Sequence, residues 1–138
     1  MDFAQICDLV EPPARTEEPM NLSAFAGTWV NSNADTTSIA RLVISESGGK
    51  LFLRVYAIGP EGVIDWGARE IKIFTSSPSS RQPAGFTCGY DFDFAETTLQ
   101  GMIMKGLLVL AQFHSFKDES RRADYFVREY FALAHGRF

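Results

Sequence analysis

The chain has 138 residues, a net charge of −4 and a pI near 5.1, enough for one domain with a real core and too acidic for a polyanion partner. Nucleic acid is therefore excluded as the expected partner, since phosphate binding needs a basic footprint. Cys7 and Cys88 fit no Cys-x-x-Cys or zinc spacing and are read as reduced thiols.

Residues 1–21 are read as an N-terminal arm and linker, and 22–138 as one β domain. Phe3, Ile6, Cys7, Leu9 and Val10 have helical spacing over about two turns before Pro12-Pro13 stops the run. That spacing predicts a short helical arm packed on the domain or on a neighbour, with a frayed tail as the alternative. The start has no basic n-region, and Asp8, Glu11 and the prolines break its apolar run, so no secretory leader is expected. No window reaches the roughly 20 apolar residues of a membrane span, which leads to the expectation of a cytoplasmic protein with no membrane partner.

Leu22–Ala26 reads as a short helical turn capped by Asn21 or Ser23. It leads into Gly27-Thr28-Trp29, where glycine admits a sharp entry into a strand and the tryptophan two residues on shares its face. From there the chain is a series of strand-like runs: 27–32, 38–46, 51–58, 63–74, 86–94, 97–104, 107–116 and 123–133. Gly48-Gly49, residues 59–62, Ala95-Glu96 and Lys105-Gly106 supply tight turns. Eight meandering antiparallel strands predict an all-β up-and-down barrel. Residues 75–85, rich in Ser and Pro, are the one long interruption and are expected to form a mobile loop at a barrel mouth.

Gly27-Thr28-Trp29 before such a meander resembles the calycin superfamily of lipocalins, fatty-acid-binding proteins and avidins. That resemblance implies a lipocalin-like barrel plugged by Trp29, with Arg128 as the last-strand basic residue packing over it. The lipocalin Thr-Asp-Tyr motif is absent. So is the second glycine of the Gly-x-Trp-x-Gly run of nitrobindin-like haem proteins. The surroundings of Ile39-Ala40-Arg41 and Asp65-Trp66-Gly67 also look like small uncharacterised bacterial proteins.

Alternation assigns the faces. Phe86, Cys88, Tyr90, Phe92 and Phe94 share one face, which must point inward, and tight turns carry that parity to Leu99, Gly101 and Ile103, then to Leu108, Leu110, Gln112, His114 and Phe116. Met102, Met104, Leu107, Val109 and Phe113 then point outward, an apolar patch that predicts a homodimer, with harmless exposure as the alternative. Ala40, Leu42, Ile44, Leu51, Leu53, Val55, Ile64 and Trp66 are expected inside. Arg41, Arg54, Tyr56, Asp65 and Arg69 are expected outside as a charge ladder, or as a polar pocket if the parity slips by one residue.

The chain carries twelve phenylalanines, two tryptophans and four tyrosines. They point to an aromatic-lined cavity for a small lipophilic or aromatic ligand, or else simply to a ring-filled core. Trp29, Trp66, Cys88, Tyr90, Phe92, Gln112 and His114 are the expected ligand contacts. Tyr90 and His114 are the catalytic candidates, since a phenol and an imidazole can orient an oxygen or move a proton. The alternative for His114 is a hydrogen-bonded core or rim residue, and His135 is expected in solvent. No metal, nucleotide or other cofactor motif is present, and Asp65 and Glu129 are carboxylates whose pairing the sequence leaves open. Two function classes follow: a carrier or sequestering protein gated by the 75–85 loop, and a cofactor-independent isomerase or cyclase using the same cavity.

Overall fold

The computed structural model describes residues 22–119 and 121–134. The predicted N-terminal helical arm, Cys7, Asn21 and His135 lie outside the described residues.

Within them the chain forms nine strands and no helix: β1 (Gly27–Asn31), β2 (Ile39–Ser47), β3 (Lys50–Gly59), β4 (Gly62–Glu70), β5 (Lys72–Thr75), β6 (Pro83–Asp91), β7 (Ala95–Met104), β8 (Leu107–Phe116) and β9 (Tyr125–Leu133). All are antiparallel in one curled sheet of order β4-β3-β2-β1-β9-β8-β7-β6-β5. The first strand pairs with both β2 and β9, so the two ends of the meander meet there: Trp29 faces Leu42 on one side and Leu133 on the other.

The run expected as one strand over 63–74 is two. Ile71 separates β4 from β5, is itself buried, and donates its N–H to Leu51 O at 3.0 Å. Before it the chain pairs with β3; after it the chain pairs with β6. The sheet's two edges are thus consecutive in sequence. Across the gap, Tyr90 Oη lies 2.8 Å from Gly67 O and 3.2 Å from Leu53 O, so one phenol proton is shared between carbonyls of β4 and β3. The guanidinium of Arg69 sits 5.0 Å from the Tyr90 ring centroid.

Alternation on the inner face holds through most of the sheet. Leu42, Ile44, Leu51, Leu53, Val55, Phe86, Cys88, Tyr90, Leu99, Leu108, Leu110 and Phe131 are buried in one core. Bulges cause the exceptions. Ala40 is an extra residue between the Ile39–Ala57 and Arg41–Tyr56 pairs, so Ile39 rather than Ala40 is buried. A second bulge falls between the Arg54–Ala68 and Tyr56–Asp65 pairs, where Gly67 adopts φ +88°. It turns Arg69, expected outside, onto the Leu53 side and over Tyr90. Ile64 is exposed, at the mouth of the sheet.

The β6–β7 turn is Asp93-Phe94, not Ala95-Glu96: Phe92 and Ala95 exchange backbone hydrogen bonds at 2.7 and 3.2 Å around it. That displacement is two residues, so parity survives it. Phe94, expected inward, sits in the turn and is exposed.

Trp29 closes one end. It is buried, and its indole N–H donates to Phe25 O at 2.9 Å, which is how an apolar ring with a polar edge is accommodated in a core. The lead-in is a single turn rather than a helix, with Phe25 N–H to Leu22 O at 3.3 Å. Phe25 meets Phe86 edge to face at 5.5 Å, and the Phe86 ring lies across Gly101, where a side chain would collide with it. Arg128 does not pack over Trp29. It pairs opposite Ala111 on the outer face, because Glu129 and Phe131 take the inward positions of β9, and Leu133 is the β9 residue beside Trp29.

The expected mouth loop is shorter than 75–85, covering the residues between Thr75 and Pro83. The register Thr75–Pro83 and Phe86–Gly101 puts it at the Trp29 end.

Trp29→Ala should destabilise the fold by about 3–5 kcal/mol, the cost of an unfilled aromatic cavity. Urea denaturation checks this; a midpoint close to wild type would mean the end closes without the ring.

Candidate functional site

Strand β8 is apolar on its inner face up to Leu110 and then polar: Gln112 is fully buried and His114 half-buried. A buried amide must find partners for its donors and acceptor or lose stability. Gln112 finds partners for both of its polar atoms. Its Nε2 donates to Glu129 Oε1 at 2.7 Å, while its Oε1 lies 3.2 Å from His114 Nε2 and 3.4 Å from Ser38 Oγ.

Glu129 is brought inward by β9, where it pairs opposite Leu110. Its second oxygen accepts from Asn31 Nδ2 at 2.8 Å and Thr36 Oγ1 at 3.2 Å. Asn31, also buried, donates to Ile39 O at 2.9 Å and accepts the Asn33 N–H at 2.8 Å. At the other end of the chain of bonds, Thr97 Oγ1 lies 2.8 Å from His114 Nδ1.

The chemistry fixes every direction in this relay. A carboxylate only accepts, so the Gln112 amide nitrogen must face Glu129 and its oxygen must face His114. His114 therefore carries its proton on Nε2, and Nδ1 accepts the Thr97 hydroxyl. Both ring nitrogens of the neutral imidazole are used. Burial holds the His114 pKa below its usual value, and the Glu129 charge partly opposes this.

His114 is also in the floor of a cleft of about 480 Å³ at the end opposite Trp29. Its ring stacks on Tyr125 with centroids 4.5 Å apart. Trp66 and Phe92, in edge-to-face contact at 5.0 Å, form the facing wall, with Phe94 stacked on Phe92 at 6.1 Å. Arg122 lies over Phe116 at the rim, 4.2 Å from the ring centroid, and is bonded to Asp118 at 2.8 Å. A second hollow, lined by Thr36, Ser38, Tyr125 and Glu129, opens on the other side of the relay.

Of the seven residues expected to contact ligand, Trp66, Phe92 and His114 line this cleft, and Gln112 stands directly behind it. Trp29, Cys88 and Tyr90 are in the packed core. Tyr90 touches the cleft wall only through its ring, 5.4 Å from Trp66. Its hydroxyl is engaged by two carbonyls, and burial raises the phenol's pKa well above its ordinary value. Burial also pushes the Cys88 thiol up to about 11, with the Arg69 charge opposing. Sequence reasoning missed Asn31, Thr36, Thr97 and the inward placement of Glu129. The two-residue spacing of Glu129 from Phe131 places Glu129 inward only once Phe131 is known to face the core.

Among the described residues no three His, Cys, Asp or Glu side chains come together as metal ligands, and no helix is long and apolar enough to cross a membrane. No family model, curated protein or solved structure matches the chain.

Because the folded state holds His114 below the 6.5 of a free imidazole, the unfolded chain takes up a proton first as pH falls. Stability should therefore be full above that value and decline as pH drops through it. The melting temperature measured between about pH 7.5 and 5.5 tests this; His114→Gln should flatten that part of the profile. Glu129→Gln should lower the His114 pKa further by removing the opposing charge, a shift readable by NMR titration of the imidazole.

Proposed function

We propose that the protein binds a small, flat, lipophilic or aromatic molecule in the cleft between Trp66, Phe92 and the His114–Tyr125 stack. In this reading the curled sheet works as a calycin-type barrel, plugged at the Trp29 end and open at the cleft. The supporting observation is the composition of the cleft: aromatic walls over a floor whose polar groups are already bonded to one another. Such a surface gains from shedding water against an apolar ring. It offers one polar edge, the Thr97 oxygen, which donates its proton to His114 and keeps a lone pair for a donor on the guest.

Binding is favoured over the isomerase or cyclase reading by the same hydrogen bonds. A general base needs a free lone pair within reach of the substrate. In neutral His114 the Nδ1 lone pair is taken by Thr97, and the Tyr90 hydroxyl is committed to the seam. The 76–82 loop has no part in gating this cleft, since it lies at the other end of the sheet.

Titration with an anilinonaphthalene sulfonate dye, followed by native mass spectrometry for any retained ligand, tests the reading. Trp66→Ala should weaken dye binding by about 1.5–3 kcal/mol, the value of a buried aromatic contact. His114→Ala should cost a similar amount, through loss of the ring that forms the cleft floor with Tyr125. Tyr90→Phe should leave affinity unchanged. Equal affinity in Trp66→Ala, or loss of binding on Met104→Lys instead, would place the dye outside the cleft and refute the proposal.

A further inference from the structure

On the outer face, β7, β8 and β9 form an apolar groove of about 490 Å³. Met102, Met104 and Leu107 are 47, 54 and 37 % exposed around it, and Tyr130 flanks its floor. Its lining includes two cations, Lys105 and Arg128, and no carboxylate. A large exposed apolar surface of this kind marks a contact site. Its partner must be apolar and acidic.

We propose that the groove is covered by residues 2–11 of the same chain, a segment outside the described residues. Phe3, Ile6, Leu9 and Val10 supply apolar side chains at helical spacing. Asp2, Asp8 and Glu11 supply three negative charges, and residues 2–11 contain no Lys or Arg. The charges complement Lys105 and Arg128. The path is also short. Leu22 leads into β1 at the Trp29 end, where β1 adjoins β9, and Leu107 pairs with Ala132 of β9 at that same end. Three strand spacings of about 4.8 Å separate β1 from β7. The ten residues between Glu11 and Leu22 make eleven Cα steps, which span up to about 36 Å when extended.

A second copy of the sheet fits the groove less well. Pairing this face with itself about a twofold axis sets two Lys105 and two Arg128 side chains in one interface with no carboxylate from the groove to answer them.

The test is paramagnetic broadening in the full chain. A nitroxide is attached through Gln5→Cys in a Cys7→Ser background; Cys88 is buried and its thiol stays protonated, so it does not compete for the label. The expected result is broadening of the Met102 and Met104 methyl signals within single molecules at low concentration. Leu9→Asp should abolish it while the remaining spectrum stays that of the folded protein. No broadening at these methyls would overturn the proposal. So would broadening seen only when spin label and isotope label are on different molecules, or a sedimenting dimer in which Leu9→Asp leaves the groove shielded.

Discussion

A sheet whose two edges are consecutive in the chain has no choice but to curl. Ile71 is the pivot: one buried residue separates a strand that completes its ladder with β3 from one that begins a ladder with β6. Its N–H goes to Leu51 O, which prevents the change of partner from leaving a buried donor unpaired. A side chain bridges the gap between the two edges. Tyr90 reaches across from β6 and offers its hydroxyl to Gly67 and Leu53, so a phenol stands where a strand's backbone would otherwise have been needed. Removing that hydroxyl deletes both of these bonds across the seam, a cost felt in folding rather than in the cleft.

Curling gives the sheet an inside with two unlike ends. At one end Leu22, Phe25 and Trp29 are packed with Phe86 and exclude water. At the other end the inner face holds a carboxylate, which is expensive to take out of water unless its oxygens are hydrogen-bonded. Glu129 is given three donors from three separate segments: Asn31 of β1, Thr36 of the β1–β2 connection and Gln112 of β8. That charge ties the sheet's midline together. It also sets the orientation of Gln112, through Gln112 the tautomer of His114, and through His114 the direction of the Thr97 hydroxyl, so the polar edge of the cleft is ordered by the fold itself.

Much of the fold was legible because β6 to β8 contain so little ambiguity. Phe86, Cys88 and Tyr90 alternate against Thr87, Gly89 and Asp91, and the Lys105-Gly106 turn passes that parity on to Leu108, Leu110, Gln112 and His114. Misplacing the β6–β7 turn by two residues did no harm to the assignment, since side chains repeat with period two. Ala40 and the residues around Gly67 are different: a bulge inserts one residue and reverses the faces beyond it, nothing in Ile-Ala-Arg announces the insertion, and in Asp-Trp-Gly the one sign is the glycine inside the strand run. Strand β9 was opaque for another reason. Tyr125, Val127 and Phe131 face in while Phe126 and Tyr130 face out, so both faces are aromatic, and alternation alone does not say that Glu129 belongs inside and Arg128 outside.

The same ambiguity surrounds the aromatic count, which the sequence reads as one cavity and the structure divides among several tasks. Phe25, Phe86 and Phe131 are fully buried and fill the sheet's interior as apolar bulk. Phe92, Phe94 and Phe116, with Trp66 and Tyr125, are gathered at the mouth, where they stay partly exposed. Phe113 and Phe126 pack on one another at 5.1 Å on the outer face. A ring at the mouth costs the fold something, because part of its surface stays in water, and it adds less to stability than a ring in the core. A group of such rings facing a pre-oriented polar edge is therefore poorly explained by folding alone. The proposed guest, by covering them, would account for both their position and their exposure.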